Sequence, residues 1–151
     1  MRDKRIIVGN DHAGLVLKRE LVDRLRDLGW QVEDVGCASS ESVDYPDFAF
    51  AVARQVAADP SILGLLICGS GVGMCIAANK VAGIRAALCH DPYTATVARA
   101  HNNANILCLG GRVIGPELAK AVLASFLGTA FEGGRHQRRL DRITQAESTS
   151  E

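Results

Sequence analysis

The stretch Leu63-Gly64-Leu65-Leu66-Ile67-Cys68-Gly69-Ser70-Gly71-Val72-Gly73 decides the fold. From Leu63 to Cys68 it is almost wholly apolar, the pattern of a strand buried on both faces. Such strands belong to parallel sheets covered by helices. Glycines alternating at 69, 71 and 73 break the run, and Met74 to Lys80 reads as a short helix. Apolar strand, glycine turn and helix in direct succession make one unit of an alternating α/β chain.

The alternation extends outward on both sides. Ile6-Ile7-Val8 is a β-branched run closed by Gly9-Asn10, hence a strand and a turn. Leucines at 17, 21, 25 and 28 fall at helical spacing between Gly14 and Leu28, and Gly29 stands where a helix C-cap belongs. Residues 30–36 alternate loosely, as a second strand. Pro46 suits the first turn of a helix capped by Asp44, and that helix runs to Asp59-Pro60. Ile84 to Cys89 and Ile106 to Leu109 read as further strands. Asp91-Pro92 opens a helix to about Ala100, Pro116 opens another to Gly128, and residues 135–145 form a last one.

These elements predict an α/β protein: a three-layer α/β/α sandwich with a Rossmann-like, parallel five-stranded sheet. The expected layout is a single domain over residues 1–145 and a disordered tail over 146–151. In such a sheet ligands bind beyond the carboxyl ends of the strands. Asn10-Asp11-His12, Cys68 to Gly73, and Gly110 to Arg112 all follow strands and so face one edge.

Composition narrows the function. The chain has 151 residues, 48% hydrophobic and 23% charged, which excludes global disorder. Lys plus Arg number 17 and so do Asp plus Glu, a balance that argues against a dedicated nucleic-acid binder or a polybasic membrane binder. One Trp, two Tyr and four Phe leave little for base stacking. Met-Arg-Asp-Lys-Arg followed by only three apolar residues is no signal peptide, and no apolar run approaches a membrane span. A cytosolic location is expected. The five cysteines include no Cys-x-x-Cys, which disfavours a disulfide scaffold, a thiol-redox pair and a structural zinc site.

The glycine loop after Cys68 suits an anion or enolate cradle, because its amides and the following helix present positive charge. A purely structural tight turn remains open. A dinucleotide fingerprint fails on spacing, since its third glycine would fall at Met74. Cys68 reads as a nucleophile or base beside that cradle, or as a buried strand cysteine. Cys75, inside the next helix, reads as core. Asp11-His12 is a ligand-binding pair or a solvated turn. His101 is a general acid near neutral pH, or a cation favoured by a helix C-terminus. Arg135, Arg138, Arg139 and Arg142 share one broad helix face, either solvated or gripping phosphate, and Arg112 is a second candidate. No His-x-x-x-His pair or carboxylate cluster points to a metal.

With these residues in hand, the chain resembles type B ribose-5-phosphate isomerase and its relatives, the isomerases of galactose 6-phosphate, allose 6-phosphate and four-carbon sugar phosphates. The likeness runs from Ile6 to about Ile143. It is carried by Asp11-His12-Ala13-Gly14, Asp44-Tyr45-Pro46, Cys68 to Gly73, Ala77-Ala78-Asn79-Lys80 and Gly83-Ile84-Arg85-Ala86. His101-Asn102, Gly111-Arg112-Val113 and Glu132-Gly133-Gly134-Arg135-His136 complete it.

The resemblance implies aldose–ketose exchange between D-ribose 5-phosphate and D-ribulose 5-phosphate through a cis-enediolate, with no metal or organic cofactor. It implies homodimers or dimers of dimers whose active sites draw on two subunits. Cys68 would be the proton-transfer base and His101 would assist ring opening. Asp11 and His12 would contact the sugar or its phosphate, and Tyr45 would line the pocket. Asn102, Arg112, Arg135 and Arg139 would hold hydroxyls and phosphate. Amides of Gly69, Ser70, Gly71, Val72 and Gly73 would stabilise the enediolate. One branch of the family carries a glutamate base where Met74 stands; this chain keeps the cysteine instead. Another phosphosugar as substrate, or a non-catalytic sugar-phosphate-binding module, are the alternatives.

Overall fold

In the computed structural model, which describes residues 3–149, the apolar runs become strands and the leucine and alanine stripes become helices. The strands are β1 (Arg5–Asn10), β2 (Gln31–Asp34), β3 (Leu63–Cys68), β4 (Ala86–Leu88) and β5 (Ile106–Gly110). All pair in parallel, in the order β2-β1-β3-β5-β4. The chain moves outward from β1 to β2 and then returns to β3 on the other side. This reversal leaves a crevice at the carboxyl ends of β1 and β3.

Every residue of the central β3 is buried, whereas the edge strand β2 is largely exposed. Helices α1 (Leu15–Asp27), α4 (Pro92–Ala100) and α5 (Pro116–Gly128) cover one face. Leu21, Leu25, Ala95 and Phe126 pack there on Val8, Leu65, Ile67 and Leu107. Helices α2 (Tyr45–Ala58) and α3 (Val72–Ala78) cover the other, with Ala49, Val52, Ala53 and Met74 on Ile7, Leu66 and Cys108. Each fully buried large side chain contributes about 1.5–3 kcal/mol, so these two clusters dominate the favourable side of folding. α2 lies close on the sheet because Gly9 and Gly64 leave it room. A Cβ at either would come within 2.7 and 3.0 Å of Val52. The last helix, α6 (Arg135–Ser148), buries only His136 and Leu140.

Several boundaries differ from the sequence reading. α3 starts at Val72 rather than Met74, because Gly71 in the left-handed region (φ 78°) turns the loop straight into the helix. The strand expected over 84–89 pairs only from Ala86 to Leu88. Asp44 holds the N-cap position of α2 but its side chain accepts no cap hydrogen bond, while Asp91 does cap α4 through the Thr94 amide. The tail expected to be disordered from 146 is helical through Ser148. Ser150 and Glu151, also assigned to that tail, lie outside the described residues. No helix among the described residues is long and apolar enough to cross a membrane.

Candidate functional site

The crevice at the carboxyl ends of β1, β3 and β5 opens into a cavity of about 600 Å³. Cys68, the last residue of β3, lies in its floor and is only 5% exposed. Its sulfur accepts a hydrogen bond from the Gly71 amide at 3.1 Å. Its carbonyl accepts from the Gly111 amide at 2.8 Å, which ties the β3 loop to the β5 loop. Gly69, Ser70, Val72 and Gly73 line the cavity beside the thiol, and Gly71 lies buried behind it. Their tight curl needs glycine at two points. A Cβ at Gly71 would sit 2.5 Å from Leu88, and one at Gly73 would sit 2.5 Å from the Tyr45 ring. Tyr45, at the start of α2, thus forms one wall.

Asp11 follows β1 and is buried. Its Oδ1 accepts from the amides of Ala13 and Gly14, so part of its role is to cap the short 3₁₀ turn His12–Gly14. His12 Nδ1 accepts from the Val43 amide at 3.2 Å, which leaves the proton of the neutral ring on Nε2 as a donor. Arg112 reaches the same cavity from the β5 loop, its amide bonded to the Gly69 carbonyl at 3.0 Å. It is the only guanidinium or ammonium on the lining, among the described residues, and its side chain lies beside Gly69. The chemistry assembled is a thiol, a curled set of amides, an imidazole donor and one fixed positive charge. That set suits a small phosphorylated molecule whose reacting carbon develops negative charge on oxygen.

The other predicted residues do not join this cavity within one chain. His101 ends α4 and is stacked on His136, with ring centroids 4.3 Å apart and planes 9° from parallel. Glu132 Oε2 stands 3.4 Å from His136 Nε2 and 4.0 Å from His101 Nε2. Asn102 lies on a separate groove between α6 and the β4 region. Arg135 and Arg139 belong to the exposed side of α6. The sequence reading quoted Glu132 and His136 for the resemblance but gave neither a role; Glu132 lies before α6, across Gly133 and Gly134, so helical spacing does not pair it with His136.

His101, Glu132 and His136 are the described residues whose ligand atoms cluster, all within 4.8 Å of one another. Imidazole lone pairs lie in the ring plane. Two stacked, near-parallel rings do not converge on one ion unless one tilts.

Cys75, expected in the core, is half-buried on α3 and outside the cavity lining. The hydrogen bond from the Cys108 thiol lowers it from 9.0 to about 7, against the effect of burial. Cys108, fully buried, is pushed well above 9.0 by the same contact and by burial. Because the thiolate is the reactive form, iodoacetamide labelling of Cys75 in the native protein should rise steeply between about pH 6 and 8. Cys108→Ala should move that rise toward pH 9, with peptide mass mapping as the readout. Flat labelling across the range would remove the Cys75–Cys108 contact as its cause.

Comparison with known proteins matches the family described as Ribose/Galactose Isomerase over residues 6–143. The chain is 51% identical over 144 residues to the ribose-5-phosphate isomerase B of Escherichia coli K12, covering 95% of this chain and 97% of that one. It superposes on the Clostridium thermocellum ribose-5-phosphate isomerase B with a TM-score of 0.95 at 47% identity, over 97% of this chain and 99% of that one. The Mycoplasma genitalium enzyme with bound ribulose-5-phosphate gives a TM-score of 0.93 at 45% identity, over 95% and 96% of the two chains.

Proposed function

This chain belongs to the Ribose/Galactose Isomerase family, and from that membership we propose that it interconverts D-ribose 5-phosphate and D-ribulose 5-phosphate in the cytosol. It is an aldose–ketose isomerase. The likeness at 51% identity to a ribose-5-phosphate isomerase B is the observation that carries the choice of sugar.

In the proposed reaction the furanose first opens: the bond from C1 to the ring oxygen breaks, that oxygen takes a proton, and the C1 hydroxyl gives one up. His101 assists this step. Cys68 Sγ, as the thiolate, then takes the proton from C2 and returns it to C1, while the proton on O2 passes to O1, so that the carbonyl ends at C2. Between the two transfers the substrate is a cis-enediolate. The amides from Gly69 to Gly73 stabilise its oxygen, because donors fixed beforehand need not reorganise as charge appears. Asp11 and His12 hold the sugar or its phosphate, and Tyr45 closes one wall. Arg112, Arg135, Arg139 and Asn102 hold phosphate and hydroxyls. A phosphate far from the reacting carbons supplies binding energy for orientation.

The two groups of residues meet, on this reading, when a second copy of the chain supplies His101, Asn102, Arg135 and Arg139 to the cavity of the first. Support comes from the rim. Tyr45, Val72, Ile76 and Val113 line the cavity and are 40–58% exposed, an apolar border that a second subunit would cover.

The test is a panel of phosphosugars. Ribose 5-phosphate should show the highest kcat/KM, exceeding allose 6-phosphate, galactose 6-phosphate and erythrulose 4-phosphate by about tenfold or more, equivalent to ~1.4 kcal/mol of transition-state binding. A tenfold advantage for another sugar would change the substrate and keep the chemistry. Binding of all four without turnover would favour a non-catalytic module.

A further inference from the structure

We propose that His136 is a positioning residue for ring opening: its buried ring is the plate against which, with Glu132, the His101 imidazole is held. This rests on the reading of His101 given above.

His101 sits at the C-cap of α4 with its side chain 41% exposed. Left to itself such a ring samples several rotamers, and a proton donor is efficient only when aimed. His136 supplies the missing constraint. Its side chain is 8% exposed, and its ring lies flat against His101 at 4.3 Å. Glu132 is tied to the same place from the backbone, because its amide donates to the carbonyl of Ala100 at 3.0 Å. Gly133 and Gly134, at φ 68° and 56°, then turn the chain sharply into α6. That turn returns His136 beneath His101, and the His136 amide bonds the Gly133 carbonyl at 3.1 Å. Glu132 Oε2 faces the Nε2 edges of both rings, close to His136 and 4.0 Å from His101.

The experiment separates ring opening from proton transfer. Ribulose 5-phosphate cannot close a furanose, because its O5 carries the phosphate. Exchange of its C1 proton with D₂O, followed by NMR, therefore reports the base and the amide cradle without the ring step. Conversion of ribose 5-phosphate reports both. His136→Ala should lower ribose 5-phosphate turnover about tenfold or more, in the range of acid–base assistance, while C1 exchange falls less than about threefold. His136→Phe, which restores a flat plate, should recover most of the loss. The ratio of the two rates is insensitive to the fraction of protein folded. Should His136→Ala fail to fold, Glu132→Gln on the exposed loop should shift the same ratio in the same direction.

Equal losses in both assays, or no recovery with His136→Phe, would overturn the proposal. His101→Asn is the reference. If it leaves the ratio unchanged, the ring-opening role of His101 falls first. Absence of any conversion of ribose 5-phosphate by the unaltered protein would overturn the substrate instead.

Discussion

Cys68→Ala is expected to lower kcat on ribose 5-phosphate by about a thousandfold, within the range general acid–base catalysis supplies, and to leave the fold in place. The thiol ends the central strand, packs in the α2–α3 core and meets the cavity at its floor. Removing one sulfur from that core costs about 1 kcal/mol, a loss a domain of this size tolerates. Cys68→Ser refines the result. A hydroxyl still accepts the Gly71 amide but is a far weaker base, so the serine variant should be nearly as slow as the alanine one. Thermal unfolding followed by circular dichroism, measured beside the kinetics, separates lost chemistry from lost structure. Activity above about a tenth of the original in either variant would move the base to another residue.

Gly71→Ala should lower kcat by about a hundredfold or more, as expected when a preorganised donor is displaced. Its cause is geometric. Gly71 has φ 78°, and its new Cβ would lie 2.9 Å from the Leu109 carbonyl carbon and 3.0 Å from the Leu109 oxygen. Those atoms are the backbone of β5 and cannot swing aside as a side chain would. The loop must move instead, taking with it the amide that points at Cys68 and the neighbouring amides of the cradle. Stability should fall by about 1–3 kcal/mol from the overpacking and the strained backbone. Gly83→Ala is the matched control. Gly83 has φ 86° with nothing within 4 Å, so it carries the same backbone strain without the clash and should keep its turnover.

The fold was legible where burial is continuous. β3 shows as one apolar run because helices cover both its faces. β4 was overread, since Ile84 and Cys89 are buried outside the strand pairing and look like strand residues in sequence. The cavity was legible because a parallel sheet brings every strand-to-helix loop to one edge; Cys68 ends one strand, and Asp11 and Arg112 come just after its two neighbours. The His101–His136 stack was not. Its partners come from α4 and α6, and nothing in local spacing says that two such helices approach. The split between the cavity and His101 was equally invisible, since a motif list carries no distances.

On the proposed pairing, a cavity whose own chain keeps His101 elsewhere becomes an enzyme only by association. Specific activity should then depend on protein concentration, falling on dilution below the dissociation constant of the assembly. Mixtures would follow the same arithmetic. A chain lacking Cys68 paired with one lacking His101 would rebuild one complete site in each mixed pair, so two inactive variants would recover activity together.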